Sequence, residues 1–190
     1  MKAIGVVGSP RKNGNTEILT KHTLQAIAEE GLDTELMTLA GLDIRPCDAC
    51  MVCRGDEEKC PIDDDLFPLY TKLKGADAII LATPVYFGSA TALIKAFMDR
   101  VGYIAGGSRR VFAGKVGGPL VVARRGGHNF TFSQLMFWFH ILGFFMPGST
   151  YWNIAFGAGR GQVQEDEEGL RTAWNFGKNI ALLVKKLKTN

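Results

Sequence analysis

Cys47, Cys50, Cys53 and Cys60 are all the cysteines of the chain. They read C-x2-C-x2-C-x6-C and Pro61 follows. The first spacings are those of the bacterial ferredoxin run, which also closes on Cys-Pro. Three closely spaced thiolates can wrap one face of an iron–sulfur cubane, with the fourth arriving after a short loop. The pattern therefore predicts a [4Fe–4S] ligand set. Structural zinc usually joins two separate C-x2-C knuckles across a long spacer, and no second knuckle exists here. Zinc and a redox-active dithiol stay open as alternatives. The spacer from Arg54 to Lys59 is polar and is expected at the surface. Asp63, Asp64 and Asp65 are expected to cap the next helix, with Pro68 in its first turn.

A second constellation is Gly8-Ser9-Pro10-Arg11-Lys12-Asn13-Gly14-Asn15-Thr16, between a β-rich run and a helical pattern. Amides at a helix N-terminus attract phosphate. Ser9, Asn13, Asn15 and Thr16 add polar groups, and Arg11 can neutralise part of a dianion's charge. The loop has neither the Gly-Lys-Ser/Thr ending of a nucleoside-triphosphate loop nor the G-x-G-x-x-G dinucleotide fingerprint. A plain polar turn capped by Asn15 or Thr16 is the alternative.

Thr83-Pro84-Val85-Tyr86-Phe87-Gly88-Ser89 ends a later apolar run. A backbone held by Pro84 and opened by Gly88 can present amides to a planar heterocycle, with Tyr86 and Phe87 as aromatic neighbours. Alone it is an ordinary turn; beside the first loop it completes a mononucleotide site. Gly157-Ala158-Gly159-Arg160-Gly161 is read as a flexible loop able to cover the crevice. His22, His128 and His140 are read as structural, and no side chain is assigned as a catalytic acid or base.

The elements that must position these loops alternate. Strands are predicted at Ala3–Val7, Thr34–Leu39, Ala78–Ala82, Leu120–Ala123 and Tyr151–Phe156. Helices are predicted at Thr16–Glu30, closed by Gly31, at Ala90–Tyr103, and along a stripe from Leu170 to Leu187. Alternation implies an α/β, doubly wound parallel sheet with right-handed crossovers. Five strands favour the flavodoxin-like order 2-1-3-4-5, which brings the loops after strands one and three to one crevice. Residues 42–61 form a cysteine-bearing insertion between the second strand and the next helix.

The chain has 190 residues, 46% hydrophobic, with a net charge of +3. This suits one domain over residues 1–190, excludes a disordered chain, and gives no reason for a nucleic-acid surface. The N-terminus lacks the apolar length of a signal peptide, so a cytoplasmic protein with reduced thiols is expected. Phe130–Met146 holds six of the twelve phenylalanines. It also contains Gln134, His140 and Gly143 and stops at Pro147, short of the ~20 residues a membrane span needs. It is read as a buried or oligomer-interface helix.

Gly8-Ser9-Pro10-Arg11, Asn15-Thr16 and Thr83–Ser89, with Lys95, Phe97 and Asp99-Arg100, resemble the NADPH-dependent FMN reductase superfamily. The resemblance implies FMN, its phosphate at the first loop and its isoalloxazine against residues 84–89. It also implies that Arg124-Arg125-Gly126-Gly127-His128-Asn129 closes the ring's edge, with Gly126 and Gly127 permitting close approach. Arg124 and Arg125 are read as solvated rather than as holding a nicotinamide cofactor's phosphate. Lys95, Asp99 and Arg100 are expected to pack or pair on their helix. With the cysteines, the pattern is similar to the iron–sulfur flavoproteins.

That implies an electron-transfer protein with FMN and one [4Fe–4S] cluster per chain, in a homodimer or homotetramer. Reduced ferredoxin or NAD(P)H would be the donor. The alternative is an NAD(P)H-dependent FMN or quinone reductase with an accessory zinc or redox loop.

Overall fold

The computed structural model describes residues 1–55, 58–106 and 109–189. Asp56 and Glu57, from the polar spacer, lie outside the described residues. Strands β1 (Lys2–Val7), β2 (Asp33–Thr38), β3 (Ala78–Pro84), β4 (Val116–Ala123) and β5 (Ile154–Phe156) form one sheet in the order β2-β1-β3-β4-β5. Every pairing is parallel. The fold is flavodoxin-like, as expected. Helices α1 (Asn15–Glu29) and α5 (Glu167–Thr189) cover one face, and α2 (Leu66–Lys74), α3 (Ala92–Ala105) and α4 (His128–Ile141) cover the other.

The two-residue period of a strand sorts the core. Ile79 and Leu81 join the layer under α2, α3 and α4, while Ala78, Ile80 and Ala82 join the layer under α1 and α5. All five are fully buried, which accounts for the continuous apolar run. Gly31 closes α1 at φ +86°, its amide donating to the Ala28 carbonyl. In α5 the first turn carries Glu167 and Glu168 and the last Lys186 and Lys188, matching the helix dipole.

Three boundaries differ from expectation. β4 starts at Val116, because Gly117-Gly118-Pro119 pair with Ile79, Ile80 and Leu81 despite their poor strand propensity. The missing side chain at Gly117 makes room for Phe139, which an added carbon would approach to 2.8 Å. β5 keeps only Ile154–Phe156, since Tyr151 and Trp152 stand half exposed ahead of it. Helix α4 stops at Ile141, and Gly143 turns the chain at φ +79°. Among the described residues no helix is long and apolar enough to cross a membrane.

The carboxyl ends of the strands deliver residues 8–14, 84–91, 124–127 and 157–161 to one edge. Thr91 ties the first two of these together. Its hydroxyl donates to the Gly8 carbonyl at 2.6 Å and accepts from the Ile94 amide at 3.2 Å, capping α3. Gly8 has no room for a side chain, because Ile94 packs against its Cα. Thr91→Val keeps the shape but strands both partners. It should lower unfolding free energy in urea by about 1–2 kcal/mol; an unchanged midpoint would show that the tie carries no stability.

Candidate functional site

The first loop folds back on its own helix. Ser9 is buried, and its hydroxyl accepts from the Arg11 amide at 3.2 Å. Pro10 to Asn13 are exposed, with Asn13 in the left-handed region at φ +53°. The Asn13 amide donates to Glu17 Oε2 at 2.7 Å, and Lys21 Nζ donates to Glu17 Oε1 at 2.7 Å. Burial opposes a charge on Glu17, but Lys21 and the Asn13 amide outweigh it and hold the carboxyl below its usual range. Glu17 was not singled out from sequence. Its place three residues after the Gly14 cap is the capping-box spacing that could have found it.

Asn15 and the loop after β5 hold each other. Asn15 Nδ2 donates to the Gly159 carbonyl at 2.7 Å, and Oδ1 accepts from the Val163 amide at 3.4 Å. Arg160 Nη2 donates to the Lys12 carbonyl at 2.7 Å, and its Nε donates to the Asn13 carbonyl at 3.3 Å. The Gly157–Gly161 segment, expected to be a flexible cover, is thus bonded to the first loop. The Asn15 amide, expected as a phosphate donor, has protein partners on both atoms. Arg11 and Lys12 are the exposed cations of the loop, and Thr16 lies buried in the first helical turn.

The second loop is a tight hairpin. Tyr86 and Ser89 exchange backbone hydrogen bonds of 2.9 and 3.1 Å across Phe87 at φ +48° and Gly88 at φ +77°. Two successive positive φ values make this a type I′ turn, which a phenylalanine occupies only under strain. The Phe87 ring is fully exposed, and Tyr86 is partly so. Val85 is anchored through its amide to the Val122 carbonyl at 2.8 Å. Ser89 Oγ donates to Gln134 Oε1 at 3.0 Å and the Ala90 amide donates to the same oxygen at 3.2 Å. Ser89 therefore fastens the turn to α4, and Gln134, a polar residue in an aromatic helix, was the signal for it.

The loop after β4 packs on this turn at Gly127, at φ +89°. A side-chain carbon there would lie 2.8 Å from Val85 Cγ1 and 3.1 Å from the Gly88 Cα. Gly126 would meet nothing within 4 Å, so the close approach within the protein is made at Gly127. Arg124 and Arg125 are exposed. His128 is buried with its ring 4.4 Å from that of Phe156. Burial keeps its pKa low, and its Nε2 has no protein partner among the described residues.

The four cysteines line one pocket together with Ala49, Met51, Pro61, Arg100, Tyr103 and Ile104. All four are free thiols; Cys50 is exposed and the others are half buried. Ala49 at φ +58° and Met51 at φ +62° reverse the backbone between successive cysteines. Among the described residues no three His, Cys, Asp or Glu side chains converge on a single-ion site. Burial, and then the neighbouring Cys60, Cys47 and Cys50, push the Cys53 thiol up.

The base of this segment is zipped shut. The Asp43 amide donates to Asp65 Oδ2 at 2.8 Å, the Asp65 amide donates to the Asp43 carbonyl at 3.0 Å, and the Arg45 amide donates to Asp64 Oδ2 at 3.0 Å. Of the three aspartates expected to cap α2, only Asp64 bonds its first turn, accepting from the Leu66 amide at 3.1 Å. Arg109 donates to the Cys53 carbonyl and, at 2.5 Å, to the Gly55 carbonyl. Arg54 stacks on Tyr103 at 5.2 Å.

Arg100, expected to pack or pair on its helix, does so against the cysteine segment. Its side chain and that of Asp64 are 1% and 0% exposed and form an ion pair. Burial opposes a charge on Asp64, but Arg100 and the Arg45 and Leu66 amides hold its carboxyl below the usual range. Lys95 pairs with Asp99 on the exposed side of α3. Arg100→Met leaves Asp64 buried without its counter-charge. It should cost about 3–5 kcal/mol in urea unfolding, with part recovered in the double variant Arg100→Met/Asp64→Leu; equal stability of the wild type and the single variant would refute the pair's structural weight.

Comparison with known proteins agrees with this arrangement. A family model described as NADPH-dependent FMN reductase matches residues 1–159. An iron–sulfur flavoprotein of Methanocaldococcus jannaschii is 42% identical, over 99% of this chain and 100% of its own. One from Methanosarcina thermophila is 35% identical, over 100% of this chain and 98% of its own. The crystal structure of a flavodoxin, WrbA-like protein from Agrobacterium tumefaciens superposes with a TM-score of 0.69 at 18% identity, over 97% of this chain and 98% of that one. At that identity it speaks for the fold alone. Full-length kinship thus agrees with the crevice and the cysteine pocket, and the chain belongs to the iron–sulfur flavoproteins of the NADPH-dependent FMN reductase family.

Proposed function

We infer that the chain transfers electrons, with FMN in the crevice at the strand ends and a [4Fe–4S] cluster on Cys47, Cys50, Cys53 and Cys60. The observation that carries this reading is that all four cysteines line one pocket, walled by the helix whose start frames the crevice. The relatives' shared name supports the pairing of cofactors.

The residues present fit both groups. In the crevice, Ser9, Arg11, Asn13 and Thr16 surround the start of α1, where amides and a cation suit a phosphate. Asn15 holds that loop in place. The backbone of Pro84 to Ser89 forms an exposed strained turn on a glycine-lined seat, a surface suited to a flat ring. In the pocket, the four cysteine sulfurs suit an iron–sulfur cluster.

Bound FMN exchanges two electrons and a cluster one, so together they can link a one-electron carrier such as ferredoxin to a two-electron partner. The chain's own part is positional. Arg11 would offset phosphate charge, the backbone of residues 84–89 would seat the ring, with the Phe87 and Gly88 amides left to face it, and Phe87 would cover or gate its exposed side. Nine residue steps along α3 separate its cap Thr91 at the crevice from Arg100 at the pocket, about 14 Å of helix rise. Phe130, Phe137 and Ile141 are 63%, 73% and 81% exposed on α4. They support the expectation of a second copy of the chain there, in a homodimer or homotetramer.

Anaerobically purified variants test this two-site reading. Arg11→Ala should weaken FMN retention about tenfold, ~1.4 kcal/mol, with iron per chain unchanged. Cys60→Ala should do the reverse. Equal loss of both groups from either variant would contradict separate sites. In stopped-flow mixing, reduced ferredoxin should bleach the flavin; rapid bleaching by NADPH alone would favour the NAD(P)H-dependent FMN or quinone reductase instead.

A further inference from the structure

Arg100 reaches past its carboxylate partner to a cysteine. Its Nη2 lies 3.3 Å from Cys60 Sγ, 3.4 Å from the Ile62 carbonyl and 3.1 Å from Asp64 Oδ1. Nη1 donates to Asp64 Oδ2 and, at 3.1 Å, to the Arg45 carbonyl. The guanidinium is therefore held from both ends of the cysteine segment and aimed at the sulfur of its last cysteine. Only one of the four thiols is held this way among the described residues. Asp64 neutralises the arginine's charge, so what reaches Cys60 is chiefly an oriented N–H donor.

We propose that Arg100 is a positioning residue that donates to the Cys60 sulfur and thereby raises the reduction potential of the cluster bound there. The proposal rests on the cluster reading above. A donor at a ligand sulfur favours the state with one more electron, because that state puts more negative charge on sulfur. The apolar surroundings, with Tyr103 and Ile104 lining the same pocket, strengthen such a bond relative to water. The helical register carried the signal: Arg100 falls among Phe97, Val101 and Ile104 on the buried side of α3. An arginine there must find partners inside the protein.

The test separates the sulfur contact from the ion pair. Arg100→Gln/Asp64→Asn removes both opposite charges together, leaving the net charge unchanged. The Leu66 and Arg45 amides bond different oxygens of Asp64, so its replacement by Asn keeps one acceptor and loses the other, a change that both variants share. Asp64→Asn alone breaks the pair but leaves Arg100 facing Cys60. The readout is the cluster's midpoint potential, from titration of the anaerobic protein with dithionite as one-electron donor and followed by electron paramagnetic resonance. Iron, acid-labile sulfide and FMN per chain are measured beside it.

At the wild-type midpoint, the double variant should show an oxidised-to-reduced ratio about tenfold higher, a shift of about 59 mV to lower potential. Asp64→Asn should show no such fall. Cluster loss from the double variant alone would also assign the contact with Cys60 to Arg100. Equal potentials in all three proteins, or the same fall or cluster loss in both variants, would overturn the proposal and leave the pair purely structural. Wild-type protein without iron and sulfide would overturn the cluster reading itself, before any variant is made.

Discussion

A charge buried in an apolar layer has to be matched, and the matching of Arg100 decides where the cysteine segment lies. Water cannot solvate the guanidinium, so its partners come from the chain: Asp64 and the carbonyls of Arg45 and Ile62. Those partners bracket the four cysteines in sequence. Holding them holds the base of the loop, and the amides of Asp43 and Arg45 complete the closure against Asp64 and Asp65. A polar insertion with no period of its own is thereby fastened at its base.

Helix α3 carries this constraint to the rest of the molecule. Its first turn is capped by Thr91, which also grips Gly8, so the crevice loops and the helix share one hydrogen-bonded corner. Its later turns present Arg100, Tyr103 and Ile104 to the cysteines. The crevice itself is built by close approach: Gly127 against Val85 and Gly88, Gly157 against Asn15. In the second loop the strain falls on Phe87, whose ring faces solvent from a left-handed backbone. A residue held that way needs a rigid frame, and Gln134 and Val122 provide it.

What was legible in the sequence was local. β1 and β3 are continuous apolar runs between glycine- and proline-bearing turns, and the cysteine spacing needs no tertiary information to suggest a sulfur ligand set. The first half of β4 was not legible, because Gly117-Gly118-Pro119 becomes a strand only through β3 and the rings of Phe139 and Phe176. Three aspartates ahead of α2 look like helix caps. That two of them bond the chain some twenty residues earlier follows from folding, not from propensity. Asn15 likewise reads as a phosphate donor, and its bond to the Gly159 carbonyl, 144 positions away, was not legible. The two crevice loops were readable as motifs, but which of their side chains are free and which are fasteners was not.

The central claim is that one chain builds two separate cofactor sites, one for a flavin and one for an iron–sulfur cluster. Its most direct test is the absorption spectrum of the anaerobically purified protein, with flavin, iron, acid-labile sulfide and zinc assayed on the same sample. Two sites predict flavin bands over a broad iron–sulfur absorption, with about four iron and four sulfide per flavin. Stoichiometric zinc with neither iron nor sulfide would contradict it.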